Sequence, residues 1–163
     1  MRHTLLASIT VVAGLLAFLV SCATGTSSVP GKNLLDLINE KRTAAGCPAV
    51  LGSSELRSAA DRHAVDMRDK KAHLQPNTDG HTGSDGSRPG QRIASAGFAP
   101  LSRYGEILYF SESTSSEAAT VNWWMNSPAH KAIMLDCQFT HAGVGLLYPG
   151  GTKWYAVVDF GKH

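Results

Sequence analysis

The segment ELRSAADRHAVDM, from Glu55 to Met67, is the most regular part of the sequence. Its small and apolar residues recur at the spacing of one face of an α-helix. These residues are Leu56, Ala59, Ala60, His63, Ala64 and Met67. Ser53 or Ser54 can cap this helix at its start, and we expect it to run to about Ala72. Because His63 lies in the middle of the apolar face, we interpret it as a core residue bonded to the backbone, not as a ligand.

Helices and strands are predicted on both sides of this segment. An amphipathic helix from Lys32 to Ala45 precedes it. The Gly-, Asp- and Ser-rich stretch from His73 to Gly90 is predicted to be a loop, and it carries two histidines. Further helices are predicted at 88–96, 117–125 and 128–134, with strands at 105–110, 142–148 and 154–160 and the last two strands in an antiparallel hairpin.

This order of elements predicts the fold class. Strands that alternate with helices and end in a hairpin are typical of α+β proteins. We expect a central, mainly antiparallel sheet between helices. The three tryptophans, Trp123, Trp124 and Trp154, are expected in the core and against the sheet.

The first residues have the pattern of an export signal. A basic start at Arg2 is followed by an uncharged run from Thr4 to Val20. The run ends in Leu19-Val20-Ser21-Cys22, which resembles a bacterial lipobox and implies cleavage before Cys22 and acylation, with fatty acids such as palmitate. We therefore predict a signal peptide over residues 1–21, a flexible tether over 22–31 and one domain over 32–163. The alternative is an uncleaved membrane anchor, because a run of about 17 residues is near the lower limit for a spanning helix.

The cysteines and the charge balance limit the possible environments. Lipidation of Cys22 leaves Cys47 and Cys137 as a pair in an oxidising compartment, where we expect a disulfide; two free buried thiols are the alternative. The 15 basic residues nearly balance the 13 acidic ones. This balance gives no electrostatic case for binding nucleic acid.

Several segments together resemble the CAP (SCP-like) family of secretory proteins. LINEKRTAAGC and ELRSAADRHAVDM are similar to the first two helices of that family. HTGSDGS, GEI, WMNSPAHKAIMLDCQFTHAGVG and WYAVVDFG follow in the order of its later blocks. The similarity runs from about Leu34 to Gly161. It implies an α-β-α sandwich and, as in bacterial members, a disulfide between Cys47 and Cys137.

The resemblance also implies a cavity and its residues. The family histidines correspond to His81 and His130, and its glutamate corresponds to Glu106. Ser127 stands where many eukaryotic members have a second glutamate, so it is a possible fourth cavity position.

Two imidazoles and a carboxylate suit zinc, although the sequence contains no local metal motif. The same three side chains could instead form a buried hydrogen-bond network without metal. The cofactor expectation is therefore a possible divalent cation.

These features predict an exported protein that is anchored to the cell membrane and faces away from the cytoplasm. We expect it to bind a small hydrophobic ligand such as a lipid or sterol, a cation, or an extracellular protein partner. A hydrolase that uses Ser127, a histidine and Glu106 is the second hypothesis, but the sequence lacks a G-x-S-x-G motif. A structural or host-interaction role without catalysis is the third.

Overall fold

The computed structural model describes residues 32–76, 79–148 and 151–163. In these ranges the helices are α1 (Lys32–Ala44), α2 (Ser54–Lys70), α3 (Pro89–Ser95), α4 (Glu117–Asn126) and α5 (Pro128–Met134). A short 3₁₀ helix spans Ala72–Leu74. The strands are β1 (Leu51–Gly52), β2 (Arg103–Ser111), β3 (His141–Leu147) and β4 (Trp154–Lys162).

The four strands form one mixed sheet in the order β1-β3-β4-β2. Strands β3 and β4 pair antiparallel, which confirms the predicted hairpin, and β2 pairs antiparallel with β4. Strand β1 pairs parallel with β3. We did not predict β1, because two residues are too short to show the alternation that marks a strand.

Helices cover both faces of the sheet, so the predicted α-β-α sandwich is confirmed. On one face, residues of α1, α4 and α5 enclose the larger core; they include Leu34, Ile38, Val121, Trp124 and Met134. On the other face, α2 packs Ala60, Ala64 and Met67 against Tyr155 and Val157 of β4. The alternation of β4 between these two cores is the usual side-chain period of a strand.

Helix α2 follows its sequence pattern closely. All six residues of the predicted apolar face are buried. The side chain of Ser53 accepts a hydrogen bond from the backbone N–H of Leu56 at 3.2 Å, which identifies the cap. The helix ends at Lys70, slightly before the predicted end, because Lys71 takes a left-handed conformation with φ of 56°.

Two glycines of β3 allow α2 to approach the sheet. A Cβ atom on Gly143 would lie 2.0 Å from the backbone N of Arg57, and one on Gly145 would lie 2.5 Å from the carbonyl C of Ala60. Both neighbours are backbone atoms of a helix and cannot rotate away. Helix α2 therefore packs against β3 at a distance that only glycine permits.

A disulfide and a buried arginine join α1 to the segment before β3. Cys47 and Cys137 form the predicted disulfide across 90 residues, so the free-thiol alternative is wrong. The guanidinium of Arg42 is fully buried beside it and donates hydrogen bonds to four backbone carbonyls. They belong to Pro48, Met134, Asp136 and Phe139.

The predicted signal peptide, Cys22 and the tether lie outside the described residues. Within the described ranges, no helix is both long enough and apolar enough to cross a membrane.

Substitution of Gly145 by alanine tests the close contact between α2 and β3. We expect Gly145→Ala to lower the free energy of unfolding by about 3 kcal/mol, because the added methyl group meets helix backbone. Denaturant unfolding measures the change. Gly52→Ala is the matched control, since its Cβ would meet only Leu35 Cδ2 at 3.6 Å. Equal stability of the two variants would contradict the close-contact account.

Candidate functional site

Glu106 is the centre of a buried polar network between the sheet and α2. Its side chain lies on β2 and is 1% exposed. Because a carboxylate only accepts, His81 Nδ1 donates to its Oε1 at 2.7 Å. Arg92 Nη2 from α3 donates to its Oε2, also at 2.7 Å. Both carboxylate oxygens of Glu106 are therefore occupied by side chains of this chain.

The backbone around His81 is held on both sides. His63 Nε2 donates to the carbonyl of Gly80 at 3.0 Å. The backbone N–H of His81 donates to Asp79 Oδ1 at 3.0 Å, and Arg92 Nη2 donates to the carbonyl of His81 at 3.0 Å. His63 is thus a core residue bonded to the backbone, as predicted, and through Gly80 it also fixes the position of His81.

Two further contacts attach the following loop to α2. Asp66 accepts hydrogen bonds from the backbone N–H and the hydroxyl of Ser84. Arg62 donates to Asp85 at 2.6 Å, with both side chains about half exposed. A loop with this many bonds to one helix holds its residues in a defined place, although exposed ion pairs contribute little stability.

His130 is anchored separately, on α5. Pro128 begins this helix, and the Oγ of Ser127, the residue before it, lies 2.7 Å from His130 Nδ1. The expected fourth cavity position is therefore a hydrogen-bond partner of His130. The ring of His130 also meets the ring of Trp123 at 4.9 Å between centroids.

The structure brings His81 and Glu106 into direct contact but gives His130 a different partner. We call His81 and His130 the histidine pair. Each is anchored through Nδ1, and no hydrogen-bond partner for either Nε2 occurs among the described residues. Burial lowers the pKa of His130, and the nearby charge of His81 lowers it further. No hydrogen bond joins the two imidazoles in the described part of the chain.

Glu106 is ionised despite its burial. Burial alone would raise its pKa, but the hydrogen bond from His81 and the charge of Arg92 outweigh that effect and lower it. Arg92 is equally enclosed, with 1% of its side chain exposed. Removing either partner would leave an unpaired buried charge, which costs about 3–5 kcal/mol.

A second carboxylate, Asp159, lies directly across the sheet from Glu106. Asp159 on β4 pairs in register with Glu106 on β2 and with Gly143 on β3. It is fully buried, and neither of its oxygens has a hydrogen-bond partner among the described residues. Burial and the negative charge of Glu106 raise its pKa well above the ordinary value. Asp159 therefore holds its proton well above the pH at which an exposed aspartate loses it.

The geometry leaves Glu106 unavailable as a direct ligand of a divalent cation. Both oxygens of Glu106 are engaged, and the guanidinium of Arg92 repels a second cation there. In the described part of the chain, no three His, Cys, Asp or Glu side chains form a group that could hold a metal. The arrangement favours the alternative we stated for these residues, a buried hydrogen-bond network, at Glu106 and His81.

Arg92 and Asp159 were not predicted as site residues, and Trp123 was predicted in the wrong place. Arg92 lies in a short helix whose sequence, PGQRIAS, shows no charged partner. Asp159 had a visible signal, since it interrupts the apolar strand WYAVVDFG. Trp124 and Trp154 are buried as predicted. The prediction for Trp123 is wrong, because 48% of it is exposed.

Replacement of Asp159 tests its ionisation state. Stability from a raised carboxyl pKa is fully present below the unfolded-state pKa, about 3.9, and is lost as pH rises toward the folded-state pKa. Asparagine does not ionise. We therefore expect Asp159→Asn to gain stability relative to the parent as pH rises above about 4, by at most about 1.4 kcal/mol per pH unit.

Chemical unfolding across this pH range measures the difference for Asp159→Asn. Asp36→Asn, on the exposed side of α1, controls for the loss of one carboxylate. A difference between Asp159→Asn and the parent that stays constant with pH would contradict a protonated Asp159.

Comparison with solved structures finds the same fold in surface and extracellular proteins of bacteria. An outer surface protein of Borrelia burgdorferi superposes with a TM-score of 0.69 at 24% identity, over 83% of this chain and 96% of that one. An extracellular protein with an SCP domain from Bacillus anthracis gives 0.64 at 24% identity, over 80% of this chain and 39% of that one. A cysteine-rich secretory protein of Staphylococcus aureus superposes with a TM-score of 0.58 at 14% identity, over 80% of this chain and 37% of that one.

The chain spans well under half of the latter two proteins. No curated protein matches the chain. The family of cysteine-rich secretory proteins, CAP, matches residues 35–160, which include every residue of the polar network described above. The match covers most of the sequence, and this chain therefore belongs to the CAP family.

Proposed function

We propose that this protein is a membrane-tethered, extracytoplasmic CAP-domain protein that binds a small ligand at the histidine pair. The observation that supports binding is the way in which the two imidazole rings are held. Glu106 and Ser127 each hold one ring through Nδ1, and both Nε2 atoms are left without a protein partner in the described residues. Rings fixed in this way lose little freedom when a ligand binds, which favours affinity.

The ligand has polar and apolar contacts available. The Nε2 atoms of the histidine pair provide hydrogen bonds to a polar group. Trp123 and Tyr109, whose rings lie 5.4 Å apart, provide apolar surface next to His130. Binding sites commonly combine an apolar surface with a few fixed polar groups. A small molecule that presents both an apolar face and hydrogen-bonding groups is therefore the ligand class we propose for this site.

A hydrolase is the second candidate, because Ser127 Oγ lies 2.7 Å from His130 Nδ1. A serine nucleophile also needs its histidine to be oriented by an acidic group. Glu106 is bonded to His81 and Arg92 instead, so the described residues give His130 no acidic partner. The geometry therefore favours binding over catalysis.

Titration of the purified domain tests the binding proposal. Histidine side-chain NMR signals would be followed with oleate, zinc chloride and neutral trisaccharides as separate probes. We expect one probe class to shift His81 and His130 together, and His81→Ala to weaken that binding at least about tenfold, because one fixed hydrogen bond is worth about 1.4 kcal/mol. Zinc should give no saturable shift.

His141→Ala is the control for the titration, since His141 begins β3 and packs against Phe98 away from this network. Absence of a shift with every probe would refute binding at the histidine pair, as would equal losses from His81→Ala and His141→Ala.

Membrane attachment through Cys22 is a separate prediction. Metabolic labelling with a fatty-acid analogue should tag the parent protein, and Cys22→Ala should lose the tag because it removes the thiol that the lipobox presents. The Cys47–Cys137 disulfide is unaffected by this substitution and serves as the check on folding. A label that persists in Cys22→Ala would exclude this anchor.

A further inference from the structure

Trp123 is an exposed aromatic ring held next to the histidine pair. Its neighbour Trp124 is fully buried and donates from Nε1 to the carbonyl of Leu108 at 2.8 Å. Trp123 points away from that core and is 48% exposed. The rings of Tyr109 and His130 meet it at 5.4 and 4.9 Å with interplanar angles near 60°. Two neighbouring rings thus hold an indole whose remaining surface is open to a ligand.

His130, Ser127 and Tyr109 bring uncharged hydrogen-bonding groups close to Trp123. His130 Nε2 has no hydrogen-bond partner among the described residues, and burial, which lowers the pKa of His130, favours its neutral imidazole. Ser127 contributes a hydroxyl, and the Tyr109 hydroxyl lies 3.4 Å from Ser115 Oγ. Imidazole and hydroxyl groups both donate and accept, so they match a ligand that carries hydroxyls.

The buried ion pair beside His81 is already neutralised. Arg92 and Glu106 compensate each other and are buried, so neither is available to an ionic ligand. A single half-exposed ring also gives little apolar area to an aliphatic chain, since burial contributes only about 25 cal/mol per Å². The best match is a molecule with one flat apolar face edged by hydroxyl groups.

We propose that Trp123, His130 and Ser127 form a subsite for a neutral pyranose sugar of a glycan. The sugar ring stacks on the indole of Trp123, and its hydroxyls bond to His130 Nε2 and Ser127 Oγ. This inference rests on the proposed function and names its ligand class. It makes Trp123 a specificity-determining residue, whereas His81 belongs to the part of the site that Glu106 and Arg92 hold.

NMR titration with cellotriose, chitotriose and maltotriose tests the subsite through the three indole N–H signals. We expect at least one trisaccharide to shift the Trp123 indole in a saturable way, with millimolar affinity typical of one stacked ring, about 1–10 mM. The signals of buried Trp124 and Trp154 should stay in place. Trp123→Ala should weaken binding at least about tenfold, which corresponds to 1.4 kcal/mol, and Trp123→Phe should weaken it less.

Tyr148→Ala is the matched control, because Tyr148 is also about half exposed and stacks on Trp154 at 5.5 Å. It should bind the trisaccharide as the parent does. If a trisaccharide still shifts the His130 NMR signals in Trp123→Ala, the proposed subsite is wrong. It is also wrong if none of the three sugars gives any shift up to about 20 mM, a concentration that detects millimolar binding.

The probes separate this inference from the proposed function. If oleate shifts the histidine pair while the trisaccharides do not, the binding function stands and the sugar subsite is wrong. If no probe shifts His81 or His130, both proposals fall.

Discussion

Helix α2 rests directly on the backbone of β3, and this contact determines what lies beneath the helix. Gly143 and Gly145 remove the side chains that would otherwise separate the two elements. The layer between α2 and β3 is consequently thin. His63, Glu106 and Asp159 all face this layer. Their chemistry therefore follows from the packing of the helix.

Because these groups are buried, the ionisation of each carboxylate in this layer depends on whether a cation is bonded to it. Arg92 is the cation bonded to Glu106, and it lies too deep to be replaced by solvent. A second carboxylate in the same layer, Asp159, has no such partner, and its burial together with the negative charge of Glu106 raises its pKa well above the ordinary value. The pair formed by Arg92 and Glu106 then has a further consequence. It fixes the Nδ1 side of His81, because a buried carboxylate that keeps its charge must be satisfied by donors.

Most of the fold could be predicted from the sequence, because its helices and strands follow from local patterns of residues. The apolar face of α2 and the hairpin of β3 and β4 are periodic and were predicted within a few residues of their observed bounds. The disulfide followed from the count of cysteines and from the family resemblance. Strand β1 was missed because two residues in an extended pairing carry no periodic signal.

Less of the site could be predicted from the sequence, because its contacts join residues that are distant along the chain. His81 and Glu106 were identified through the family resemblance, but nothing local indicated that Arg92 would occupy the second oxygen of Glu106. That single contact disfavours zinc at Glu106. Trp123 was misjudged because it adjoins Trp124, and neighbouring helix positions point about 100° apart, so one of two adjacent tryptophans can be buried while the other is exposed.

The protonation of the histidine side chains tests the central claim most directly. Nitrogen-15 NMR distinguishes the two ring nitrogens of each labelled histidine near neutral pH. The account predicts that His81 carries its proton on Nδ1, toward Glu106, and that His63 carries its proton on Nε2, toward the carbonyl of Gly80. A neutral His81 protonated on Nε2 would contradict it, because Glu106 would then lack its donor and the histidine pair would lose its anchor.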